Sequence, residues 1–144
     1  MQPDTLCALV RLRKQALDNA SRHLSGCIQA ETAATQAVRS QAADIDHQRR
    51  MAEAAGSADS DVEAFGRWFG NARVRLGVLS ADYDRAAVET ARARAELMVA
   101  RTALEVLETL LRDGQLAAAA EETREEQKQS DDLSMRTSAT TNVR

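Results

Sequence analysis

The sequence predicts an all-α protein: a long two-helix antiparallel coiled-coil hairpin with a projecting C-terminal helix end. Three observations carry that expectation. The 144 residues are 44% hydrophobic yet include only four aromatics (Phe65, Trp68, Phe69, Tyr83), one proline and six glycines, a usage that favours long helices over a compact mixed core. A run of small and polar residues, GSADSD, interrupts the chain near its middle. Beyond it, an apolar repeat persists through seven heptads.

The first helix is expected over 5–55, because no proline and only one isolated glycine, Gly26, intervene between Thr5 and Gly56. Val10, Leu17, Leu24, Glu31, Val38, Ile45 and Ala52 recur at sevens, with Leu6, Ala20, Cys27 and Ala34 interleaved. Arg13, Glu31, Gln41 and Gln48 interrupt the stripe. A turn over 56–61 follows. Gly56 suits a C-terminal cap, since glycine takes the left-handed conformation without steric cost. Ser60 to Glu63, SDVE, matches a capping box that would open the second helix.

The second helix is expected over 62–133. Counting by threes and fours from Val62 gives Phe65, Phe69, Ala72, Leu76, Leu79, Tyr83, Ala86, Thr90, Ala93, Leu97, Ala100, Leu104, Leu107 and Leu111, where only Thr90 is not apolar. A 3.5-residue period of this length keeps one stripe facing a partner as the helices supercoil. Folding back at the turn, with residues whose numbers sum to 117 placed opposite each other, arranges the two stripes in layers. Leu6 then meets Leu111, Leu17 meets Ala100, Ala20 meets Leu97, Leu24 meets Ala93, Ala34 meets Tyr83 and Ile45 meets Ala72. Large faces small repeatedly, as close packing at constant spacing requires. At about 1.5 Å per residue the rod would be roughly 100 Å long.

Past Leu111 the second helix has no intramolecular partner and should project alone. Gly114 weakens it locally, while LAAAAEE beyond is strongly helix-forming. The hairpin therefore occupies 1–133. The tail 134–144 is Ser/Thr-rich without periodicity and is expected to be disordered.

Several function classes are disfavoured. A net charge of −3 without a basic block gives no footprint for nucleic acid. No apolar run suits a membrane span and the N-terminus lacks an export signal, so a cytoplasmic chain is expected. Cys7 and Cys27 are too far apart on one helix to bridge each other, and neither sits in a CxxC or Cys/His cluster, which fits a reducing compartment. His23 and His47 are too distant to share a metal, and GRWFG is no phosphate-binding loop. Neither catalysis, a cofactor nor a small-molecule substrate is expected from a two-helix rod without an enclosed pocket.

Two segments depart from a plain coil. In FGRWFGNARVRLG, Gly66, Gly70 and Gly77 each cost roughly 1 kcal/mol of helix stability relative to alanine. Three of the four aromatics lie there. Phe65 and Phe69 occupy seam positions, whereas Trp68 flanks the seam, either packing sideways over Phe65 or anchoring a contact surface. The other segment, EETREEQKQSDDL, holds six acidic and two basic side chains, a pattern that by composition alone describes a solvated helix surface.

Residue order adds more. Glu122 to Leu133, E-x-R-x-E-Q-K-x-x-D-D-L, resembles the C-terminal signature of the FliJ family of flagellar type III export proteins, matching at Glu126, Gln127, Lys128, Asp131, Asp132 and Leu133. The approach to it, with Leu104, Leu107, Thr109, Leu110 and the alanines at 117–120, is similar too. So is the opening segment, with Leu6, Leu9, Leu12, Leu17, Asp18, Ala20, Arg22 and Leu24 at compatible spacings. The resemblance implies a cytoplasmic, non-enzymatic stalk without cofactor, peripheral at the inner membrane of the flagellar basal body. One end would enter the hexameric export ATPase ring, and the hairpin would reach the cytoplasmic domain of the membrane export gate; empty export chaperones are further implied partners. It places Arg124, Gln127, Lys128 and Asp131 at the ATPase, with Arg13 and Lys14 at the same end. Phe65, Trp68 and Phe69 become the gate-facing set. The equivalent stalk of a non-flagellar type III system, and a purely structural coiled-coil spacer, stand as alternatives.

Overall fold

The computed structural model describes residues 2–54 and 58–141, with side chains placed through residue 139. Two helices account for the fold: α1, Pro3–Glu53, and α2, Asp59–Thr141. They pack against each other, and among the described residues there is no strand, so the all-α hairpin expected from the heptads is the fold observed.

The helix ends differ from expectation in three places. Helix α1 opens at Pro3 rather than Thr5: proline is well suited to the first helical position, where its missing N–H would have had no partner. The first bond of this turn runs from the Leu6 N–H to the Gln2 carbonyl, 3.1 Å. Helix α2 opens at Asp59, so Ser60 lies within its first turn and is not the capping residue. The Ala58 carbonyl accepts from the N–H groups of Asp61 (2.9 Å) and Val62 (3.3 Å), and Asp59 and Asp61 put negative charge on the positive helix end. The cap expected at Gly56 lies outside the described residues.

The third difference is the C-terminus. The helix continues past Leu133 to Thr141, replacing the disordered tail expected from 134. No glycine or proline follows Gly114. The hydroxyls of Ser134, Thr137 and Ser138 turn back to the carbonyls of Ser130, Leu133 and Ser134, 2.9 to 3.0 Å away, which satisfies them within the helix.

Side-chain packing divides the chain into two units. In the unit of residues 17–100, the half-buried and buried positions reproduce the predicted stripes. On α1 these include Leu17, Ala20, Leu24, Cys27, Ala34, Val38 and Ile45; on α2, Phe65, Phe69, Ala72, Leu76, Leu79, Ala86, Thr90, Ala93 and Leu97. Cross-helix bonds fix the direction of the pair, and one of them falls in the expected register. The Thr90 hydroxyl donates to the Cys27 carbonyl at 3.2 Å, in the expected layer. The Gln41 amide reaches the Ala72 carbonyl at 3.5 Å. As α1 advances α2 recedes, so the pair is antiparallel. Two of the four polar interruptions of the α1 stripe are thereby absorbed: Gln41 and Glu31 are half-buried in the seam, while Gln48 and, in the other unit, Arg13 stay in solvent. Tyr83, expected over Ala34, is 36% exposed.

The second unit combines residues 1–16 with 101–144. Leu6 and Val10 from α1 and Leu104 from α2 are buried, Leu107 and Leu111 are half-buried, and Lys14 Nζ lies 3.4 Å from Glu108 Oε1. From residue 112 to 139 every side chain is exposed. The seam ends at Leu111, as the register required.

Candidate functional site

Among the described residues no group of three or more His, Cys, Asp or Glu side chains could hold a metal ion, and no helix is long and apolar enough to cross a membrane. What the helices offer is surface, at two separate places.

The first lies on α2 beyond Leu111. Arg124, Gln127, Lys128 and Asp131 follow each other at i, i+3, i+4 and i+7, which on an α-helix is one face. All four are exposed. Their order sets two cations before an anion, with the Gln127 amide between. Arg124 Nη1 is 3.6 Å from Glu121 Oε2, a loose contact between solvated groups that a partner can displace at little cost. Arg13 and Lys14, assigned to the same end, differ in availability: Arg13 is exposed, while Lys14 already pairs with Glu108. An added Cβ at Gly114 would meet nothing within 4 Å, so no close approach explains that glycine.

The second place is the aromatic segment of α2, in the other unit. Phe65 and Phe69 stack with ring centroids 5.6 Å apart and planes 23° from parallel, and both are half-buried, as seam positions should be. Trp68 is both packed and exposed. Its ring packs on Phe65, centroids 6.0 Å apart and tilted by 34°, yet it remains 37% exposed. The Arg73 guanidinium caps Phe69 from 5.7 Å. Trp68 borders two shallow grooves of about 380 Å³ each: one shared with Gln48, Met51, Ala52 and Ala64, the other with Gln41, Asp44 and Arg75. Gly66 and Gly70 leave open space beside the ridge, since a Cβ at either would touch nothing within 4 Å.

A third feature escaped the sequence reading. Cys27 Sγ lies 3.8 Å from His23 Nε2, one turn earlier on α1, so this cysteine does have a histidine neighbour. Spacing four apart on a helix was the available signal.

Comparison with known proteins then adds one positive finding. Neither a curated protein nor a solved structure matches the chain. A family model does: the one described as "Flagellar FliJ protein" matches residues 1–142.

Proposed function

Because the chain belongs to the FliJ family, we propose that it is a non-enzymatic stalk of the flagellar type III export apparatus, coupling the hexameric export ATPase to the membrane export gate. The observation that carries this reading is the match along nearly the whole chain, which includes the charged face beyond the seam. In this reading the exposed α2 end enters the ATPase ring. Arg124, Gln127, Lys128 and Asp131 contact it there; a lone helix exposed all round is a shape a ring can hold.

The aromatic ridge then faces the cytoplasmic domain of the gate. Trp68 supplies the anchor and Phe65 and Phe69 hold it in place, since partly desolvated aromatics yield more contact energy than the charged surface around them. Export chaperones emptied of substrate are handled along the same stalk. The protein works in the cytoplasm, peripheral at the inner membrane by the basal body. The flagellar description of the family favours this system over a non-flagellar counterpart, and the exposed charged face favours a docking stalk over a spacer, for which only the seam would matter.

The test is co-purification with the export ATPase of the same cell, comparing the full chain with one ending at Leu116. Retention by the full chain and loss by the shortened one is expected. Equal retention by both would refute the placement of the ATPase contact.

A further inference from the structure

The outer face of α2, turned away from the seam, carries a second apolar stripe that the hairpin leaves unused. Stepping alternately by fours and threes from Val74 leads through Val78 and Val88 to Val99, with alanines at 81 and 95 and arginines at 85 and 92 on the steps between, all of them exposed. Val74 and Val99 are each 70% exposed. Valine is a poor choice for a solvated helix surface, because branching at Cβ restricts it there, and a 3.5-residue period marks a face that packs along its length. We propose that this face docks a second copy of the chain, antiparallel over residues 74–99.

Side-chain sizes and charges both fit this occupant. Placed about a two-fold axis level with Ala86 and Ala87, two α2 helices set Val74 against Val99 of the second copy, Val78 against Ala95 and Ala81 against Arg92, so that large again faces small in two of the three layers. On one edge Gly77, where a Cβ would meet nothing within 4 Å, faces Met98, itself 70% exposed; the glycine leaves room for the long side chain to fill. On the other edge Arg75 faces Glu96, an attraction that the symmetry makes twice. Asp82 and Glu89 meet on that edge too, but each is already paired within its own chain, Asp82 with Arg85 and Glu89 with Arg92 at 3.0 Å. A parallel pairing would set Arg85 and Arg92 against their own counterparts. Sliding the axis to Thr90 would set Glu89 against Glu89 and Asp82 against Glu96, so charge selects one direction and one register. None of these residues belongs to the proposed ATPase or gate contacts.

Sedimentation equilibrium of the full chain under reducing conditions tests the pairing, and a reversible monomer–dimer equilibrium is expected. Val74→Glu with Val99→Glu should weaken it about tenfold or more, because the introduced carboxylates meet across the axis. Arg75→Glu should weaken it about fivefold, and adding Glu96→Arg should restore it, since the reversed pair again joins opposite charges. All four positions are exposed, and circular dichroism checks that each variant keeps its helices. Oxidation gives a second reading. In chains with Cys7 and Cys27 replaced by serine, Val74→Cys and Val99→Cys chains mixed together should link to each other in preference to themselves; along one helix the two positions are about 37 Å apart and cannot bridge. A chain still monomeric at about 1 mM would overturn the second copy as occupant and leave the stripe to an apolar helix of another protein. Equal dimerisation by the parent and the Arg75→Glu chain would overturn the register, and self-linkage of the Val74→Cys chain as ready as its linkage to the Val99→Cys chain would overturn the antiparallel direction.

Discussion

The Thr90 hydroxyl lies 3.2 Å from the Cys27 carbonyl on the opposite helix and 3.0 Å from the Ala86 carbonyl one turn back on its own. It has one proton to share between them. At 1% exposure Thr90 is among the most buried residues of the seam, and it is the only polar member of the α2 stripe. A polar group at one seam position costs some stability but makes slipped pairings worse, because a one-heptad shift would bury the hydroxyl against a partner that does not match it.

Thr90→Val removes the cross-helix bond at nearly constant volume and should change stability by no more than about 1 kcal/mol. Thr90→Leu overfills the layer and should cost about 1–3 kcal/mol. Urea denaturation measures both. A Val variant as damaged as the Leu variant would show that the hydroxyl matters for energy rather than register.

Register itself is open to chemistry. In a chain with Cys7 and Cys27 replaced by serine, Leu24→Cys with Ala93→Cys should oxidise within one molecule, since 24 + 93 = 117 places them in one layer. Adding Thr90→Val should lower the yield of that disulfide. Mass spectrometry of the tryptic fragments reads the pairing, and predominantly intermolecular linkage would contradict the hairpin.

The glycines of the aromatic segment separate folding from docking. Gly66, Gly70 and Gly77 are helical with open space where a Cβ would go, so each change to alanine should raise stability by roughly 0.5–1 kcal/mol. If the gate domain approaches this surface closely, Gly66→Ala and Gly70→Ala should weaken its binding while they raise the melting temperature. Trp68→Ala should weaken binding more, with a smaller effect on stability than Phe69→Ala. Unaltered gate binding by Trp68→Ala would remove the ridge from the contact.

At the other site, Arg124→Glu with Lys128→Glu should reduce ATPase binding, and the loss should shrink as salt is raised, because exposed charges are screened over about 10 Å at 0.1 M. The helical content of the chain should change little, since both side chains are exposed and the Arg124–Glu121 contact is loose. A binding curve that ignores both substitutions would rule out this face.

Much of this fold was legible because a coiled coil writes its contacts in one dimension. Leu104, Ala93 and Ala72 are buried where the period placed them. The helix ends were less legible, since they depend on individual residues: Pro3 extends α1, and α2 runs on through a segment whose Ser and Thr content suggested disorder, their hydroxyls bonded back to carbonyls one turn earlier. Arg124, Gln127, Lys128 and Asp131 stood out by residue order, and their i, i+3, i+4 and i+7 spacing puts them on one face of the helix observed there. Trp68 was ambiguous because a flanking position permits packing and exposure together, and the structure shows it doing both. Cys27, expected to have no histidine beside it, lies 3.8 Å from His23 Nε2, because a spacing of four brings side chains together only once the helix forms.

The bare stretch from 112 to 139 has a consequence for observing the protein at work. Its backbone bonds are protected by nothing but the helix itself, and an isolated helix opens and recloses readily. Its amide hydrogens should therefore trade with deuterium quickly in the free chain, while those beneath Thr90 and Ala93 stay slow. Whatever seizes that end must slow its exchange. The segment can thus report its own capture, residue by residue, without any label attached to it.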